Sequence, residues 1–187
     1  ECGEADGGGG GCGGGGCVPE PETDPCALRY REAEGMPAVA AATGTKRSLE
    51  EIVAQPLKVA SVLNAQLDEE HGRCTTALER LAQERSADAA REVLSEYEAH
   101  FAHEEELLDA YVWPAAASGT KGGFSADEGA RRSHLNDHVQ LLRGVRALVD
   151  GGNISPDAVV AVVSEFERHA DAYDGAYAER LATALAQ

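Results

Sequence analysis

No apolar run in the sequence approaches the roughly 20 residues that a membrane-spanning helix requires, so no membrane span is expected. Aromatic residues are scarce, with one Trp and three Phe, while Ala and Leu are abundant. No alternating strand pattern competes with a helical reading, and the fold class is expected to be all-α. Basic residues are few: 16 Lys and Arg stand against 33 Asp and Glu, for a net charge of −17. Such a surface repels phosphate backbones and anionic headgroups and attracts cations, which excludes nucleic acid as a partner. The acids are dispersed, so most form a solvated face. No Cys-x-x-Cys pair is present, and the four cysteines at the head of the chain, Cys2, Cys12, Cys17 and Cys26, fit no zinc spacing. They leave two disulfides in an oxidising compartment, or a thiolate site, as open readings. No signal peptide is visible, and a cytoplasmic location is expected. The alternative is the cell envelope or periplasm, if the head is a processed tether or is disulfide-bonded. A lipid anchor at Cys2 would suit a tether, but Glu1 stands where such processing wants a small residue.

What is present falls into two parts. Residues 1–47 hold the glycine runs Gly7–Gly11 and Gly13–Gly16, then Pro19, Pro21, Pro25 and Pro37. This composition cannot bury a core and reads as a disordered tail and linker. Residues 48–187 read as one domain. Ser48-Leu-Glu-Glu51 fits a capping box, and Pro56 should end the short helix it starts. From Leu57 to about Glu84 the first long helix carries Leu63, Leu67, His71, Cys74, Leu78 and Leu81 on one stripe. Ser86 caps the second, which runs to Trp113 and stops at Pro114. Ser125-Ala-Asp-Glu128 is a second capping box and opens the third helix, which Gly151-Gly152 ends. Ser155-Pro156 opens the fourth. Four amphipathic helices with short to moderate connections give an up-down-up-down four-helix bundle. Tyr111 and Trp113 are expected to close its end.

The apolar stripes carry the wrong residues for a plain core. His100 and Glu104 stand four apart on the second helix, and His134 and His138 four apart on the third. Such pairs share a helix face. His71 lies on the first stripe, and His169 with Asp174 on the fourth. A carboxylate on a buried stripe is costly unless it is paired, protonated or bound to metal. Five histidines and two carboxylates suit iron, manganese, zinc or copper. Seven donors are too many for one small ion, whereas two ions bridged by two carboxylates would use them all. His169 and Asp174 are five apart, about 140° out of phase on an α-helix, so they would not stack on one ion but could reach adjacent ions if Asp174 bridges. His103 lies off the stripe beside Glu105 and Glu106, on what reads as a solvated face.

In order along the chain, Leu67-Asp-Glu-Glu-His71, His100-Phe-Ala-His-Glu104-Glu105, His134-Leu-Asn-Asp-His138 and His169-Ala-Asp-Ala-Tyr-Asp174 resemble the ligand motifs of the hemerythrins. The resemblance spans about residues 66–175. It implies a non-haem centre of two iron ions with an oxo or hydroxo bridge. His134, His138 and His169 would hold one iron, His71 and His100 the other, and Glu104 and Asp174 would bridge them. The less-ligated iron would keep an open position for O2 or another small diatomic or peroxide ligand. The implied function is reversible O2 binding for storage, delivery or sensing. The alternatives are a redox enzyme acting on peroxide or nitric oxide, iron-sulfur repair, and iron sequestration. Two departures bear on that choice. Glu165 and Asp171 stand where the family usually has apolar or aromatic residues. Facing the pocket, they would favour turnover; facing solvent, they would favour O2 binding. Competing readings are a plain bundle with hydrogen-bonded histidines, a zinc site, and a ferritin-like bundle. The last requires Glu-x-x-His pairs, and no histidine here has a Glu three residues before it.

Overall fold

A computed structural model describes residues 47–114, 126–152 and 154–187, and every regular element among them is helical. The short α1 is Leu49–Ala54. The long helices are α2 (Ala65–Glu84), α3 (Ala87–Leu107), α4 (Ala126–Gly151) and α5 (Pro156–His169). α3 runs on into a π-helical turn, Leu108–Val112. α5 runs through a second, Ala170–Asp174, into α6 (Gly175–Leu185). α2 packs on α3, α3 on α4, α4 on α5, and α5 back on α2, so the four meet around one interior. α1 lies against α2 and α5. No described helix is long and apolar enough to cross a membrane. The head of the chain, with its four cysteines, and the second capping box at Ser125 lie outside the described residues.

The caps act as the sequence indicates. Ser48 accepts from Glu51 N–H while the Glu51 carboxylate accepts from Ser48 N–H. Ser86 accepts from Ala89 N–H and Ser155 from Ala158 N–H. Gly152, at φ +63°, follows α4.

The first long helix begins eight residues later than expected. Residues 57–63 form an extended strap, and Asn64 caps α2 by accepting from Gln66 and Leu67 N–H. Local hydrogen bonds outcompete the helix there. Asp68 accepts from Ser61 Oγ at 2.7 Å and from Val62 N–H at 2.8 Å, and Glu79 accepts from Leu57 N–H at 2.7 Å. Leu63, expected on the buried stripe, is instead 58% exposed and left-handed at φ 59°. The rest of that stripe is correct: Leu67, His71, Cys74, Leu78 and Leu81 are all buried.

Both π-helical turns have a bond that closes across five residues. Trp113 N–H donates to Leu108 O at 2.7 Å. Gly175 N–H donates to Ala170 O. The extra residue in each turn rotates the rest of its helix about the axis. Trp113 is buried, while Tyr111, also expected to close the end, is 46% exposed. That end is sealed by Val62, Leu67, Leu108, Val112, Trp113, Tyr177 and Leu181. At the other end Leu81, Val93, Leu142, Val145, Val159 and Val163 are nearly solvent-free. At about 2 kcal/mol per fully buried aliphatic side chain, these two layers make the polar interior between them tolerable.

Left-handed backbone costs a leucine about 1–2 kcal/mol, and glycine recovers it less its own chain entropy. Leu63→Gly is therefore expected to stabilise the fold by about 0.5–1 kcal/mol, read as a higher urea midpoint at unchanged slope.

Candidate metal centre

All seven expected donors converge in the interior. Glu104, His134, His138 and His169 form one group, and His71, His100 and Asp174 a second. Each is at most 3% exposed. In the first group His169 Nε2 lies 3.3 Å from His134 Nε2 and 3.1 Å from His138 Nε2. Glu104 Oε2 is 3.2 Å from His138 Nε2 and 3.4 Å from His134 Nε2. Bonds of about 2.0–2.1 Å to one ion, at angles of about 90–110°, place nitrogens about 3.0–3.4 Å apart, which is the spacing here. Asp174 spans the groups: Oδ1 is 3.1 Å from His169 Nε2 and Oδ2 is 3.2 Å from His71 Nε2.

The π-helical turn makes the last contact. On a regular α-helix His169 and Asp174 would diverge. A turn closed across five residues brings both inward, with His169 in the first group of donors and Asp174 in the second.

Four buried atoms that face this interior have no hydrogen-bond partner: His71 Nε2, His100 Nε2, Glu104 Oε2 and Asp174 Oδ2. Buried polar groups are nearly always satisfied, and each unmet one costs about 1–3 kcal/mol. A cation is what lone pairs pointing at one another require, and the donor set fits a metal.

Behind the donors stands a set of groups that sequence reasoning missed. Glu70 Oε2 lies 3.3 Å from His100 Nδ1, Glu105 Oε1 2.9 Å from His138 Nδ1, and Asp137 Oδ2 2.7 Å from His169 Nδ1. Each carboxylate accepts from Nδ1–H and so leaves Nε2 free for a metal. The signal was in the sequence: each acid directly adjoins an expected donor, namely His71, Glu104 and His138. A one-residue step turns about 100° around the helix, so each acid reaches the histidine on the next helix. Glu105, read as solvated, is thus buried at 6% exposure. His103, outside the donor set, bonds to Glu70 at 2.9 Å and connects it to the surface. The fourth outer partner is a phenol. Tyr177 OH sits against the edge of the His134 ring, meeting Nδ1 and lying 2.9 Å from Nε2, and donates to Asp174 Oδ1 at 3.3 Å.

The field these groups create sets the protonation. Burial raises the carboxyls of Glu70 and Asp137, but their histidine partners, with Arg168 at Asp137, bring both below the ordinary range. Burial, then neighbouring His138, lowers His134 to about 4, so it is neutral and ready to bind. Burial also pushes His169 down, but Asp174, Asp137 and Glu104 outweigh it and lift its pKa to about 10. Burial drives the Cys74 thiol up, so it stays protonated as a small apolar group rather than a thiolate ligand.

A metal at His169 must therefore displace a proton at neutral pH. Below about pH 10 the competing proton weakens binding, so affinity is expected to climb about tenfold per pH unit. Chelator competition at pH 6.5, 7.5 and 8.5 measures this, and a flat profile would contradict the protonated state of His169.

Comparison with curated proteins and with solved structures finds no match. A family model, the hemerythrin HHE cation binding domain, matches residues 62–181, which is most of the chain and takes in all seven donors. With that match over this buried donor set, the chain belongs to the hemerythrin family.

Proposed function

We propose that residues 48–187 form an up-down-up-down four-helix bundle that holds two iron ions and binds O2 reversibly. His134, His138 and His169 would take one ion, His71 and His100 the other. Asp174 would bridge them, and so would Glu104. A bound iron pair supplies the electrons and the open coordination position that O2 needs. The protein's share is to orient the donors, exclude water and withhold protons.

The observation that carries this reading is the dry wall beside the two-histidine position. Phe166 stands edge-on to His71 at 6.1 Å, and Tyr97 stacks on Phe166 at 5.1 Å. Cys74, Val93, Phe101 and Phe166 have no solvent exposure. The two acids that threatened the pocket face outward. Glu165 is half exposed and paired with Arg168 at 2.8 Å, and Asp171 is exposed. No acid on that part of α5 is placed to protonate and release a bound ligand. One feature favours the enzymatic alternative, peroxide or nitric oxide chemistry. The Tyr97 hydroxyl is buried in this wall without a partner, and such a donor would stabilise a polar ligand.

The first test is optical. Protein loaded with ferrous iron under argon is exposed to O2 and then swept with argon. An O2-dependent visible band that fades on sweeping is expected, and irreversible conversion would move the assignment to redox turnover. Tyr97→Phe should leave the band in place if the function is O2 binding. His134→Ala should reduce the metal content from two ions per chain to one, and full retention would refute the donor set. Asp137→Asn, which leaves His169 oriented but less basic, should weaken metal binding about 10–100-fold with helicity unchanged by circular dichroism.

A further inference from the structure

Among the described residues, four of the five histidines have an outer partner and His71 has none. The acids follow the helices in order: Glu70 on α2 serves α3, Glu105 on α3 serves α4, and Asp137 on α4 serves α5. The series should close with a group from α5 serving His71 on α2. The residues adjoining the donors there are Arg168, Ala170, Tyr173 and Gly175; Arg168 is bonded to Glu165 and Asp137, and none of the four bonds to His71. His71 is 3% exposed, and its Nδ1 has no hydrogen-bond partner among the described residues. Nε2 faces Asp174 at 3.2 Å, so Nδ1, across the ring, faces away from the centre.

His71 is also among the residues that line a cleft of about 490 Å3 between the 57–63 segment and α2. Asp68, His71, Gly72 and Thr75 form its α2 wall, and Lys58 and Ser61 belong to the strap. Asp68 makes no hydrogen bond to His71; its oxygens accept from Ser61 Oγ and Val62 N–H. Thr75 is engaged with Gly72 O at 3.0 Å. Gly72 leaves open space where a side chain would stand. The cleft thus offers a buried donor, a cation on its rim and room.

We infer that this cleft binds a small carboxylate or oxyanion that accepts a hydrogen bond from His71 Nδ1, taking the place that the other histidines give to the protein's own side chains. Nδ1 is screened from solvent, so the ion seats by parting the strap from α2. The inference rests on His71 binding metal through Nε2. An acceptor at Nδ1 makes the imidazole a stronger donor, so the ion tunes the two-histidine position, where the small ligand would bind.

The test uses the full chain, metal-free and zinc-loaded, with formate and with phosphate against chloride at constant ionic strength. Proton–nitrogen spectra follow the His71 ring and the amides of residues 57–63. Saturable shifts of Nδ1–H and of the strap amides are expected in both forms. Lys58→Gln should weaken binding about two- to fivefold, as befits an exposed charge pair. Thr75→Glu, one turn on along the same wall, supplies a tethered carboxylate and should abolish the response. A response confined to zinc-loaded protein and untouched by Lys58→Gln would mean that the anion sits on the metal, and would overturn the site. No response to 100-fold excess over protein would mean that the cleft holds water only, and would overturn it too. Failure of zinc to shift His71 Nε2 would instead remove His71 from the metal ligands, and the metal-free titration still decides the anion site.

Discussion

Five carboxylates, Glu70, Glu104, Glu105, Asp137 and Asp174, are buried at 6% exposure or less among five buried histidines. Arg168 meets this set at Asp137, Arg73 reaches the rim of Glu70, and Arg131 acts on Glu105 from a distance. Charge of one sign at this density cannot remain in a low-dielectric interior without compensation. Protonating the histidines meets part of the need, as the raised His169 shows. Metal ions meet it better, since they satisfy the unbonded nitrogens and oxygens at once. The apolar layers above and below, the caps and the helix lengths all serve to hold this charge in register.

The register depends on departures from regular helix. A straight α5 would bring His169 inward and turn Asp174 aside, separating the two groups of donors. The π-helical turn costs some backbone regularity and returns a carboxylate with one oxygen toward each group. The same turn carries Tyr177 to His134, where its phenol ties a histidine of one group to the carboxylate that spans both. π-helical turns gather at functional sites for this reason: one inserted residue re-aims every side chain beyond it.

Much of this was legible in the sequence. Ser48, Ser86 and Ser155 announce helix starts because their hydroxyls bond within three residues, a local rule. The seven donors stand out because imidazoles and acids are improbable on apolar stripes. What stayed hidden was non-local. The strap at 57–63 continues a helical pattern in the sequence, and only its bonds to Asp68 and Glu79 hold it extended. Leu63 and Tyr111 were misplaced because periodicity assumes an unbroken turn. Glu70, Glu105 and Asp137 look like ordinary surface acids until the neighbouring helix places a histidine opposite each.

Those three acids also explain how metal binding and helix packing become one interaction. Each joins its own helix to a histidine on the next, so orienting a donor and fastening two helices are the same hydrogen bond. The three-histidine end is held on every side: His138 by Glu105, His169 by Asp137, His134 by Tyr177. Its imidazoles are aimed before any metal arrives, and their reorganisation on binding is small. The two-histidine end is held less completely. His100 has Glu70, but His71 rests against a cleft. On the proposed reading, the rigid end would set metal affinity, and the end with fewer fixed partners would be the one whose properties a bound ligand or ion changes.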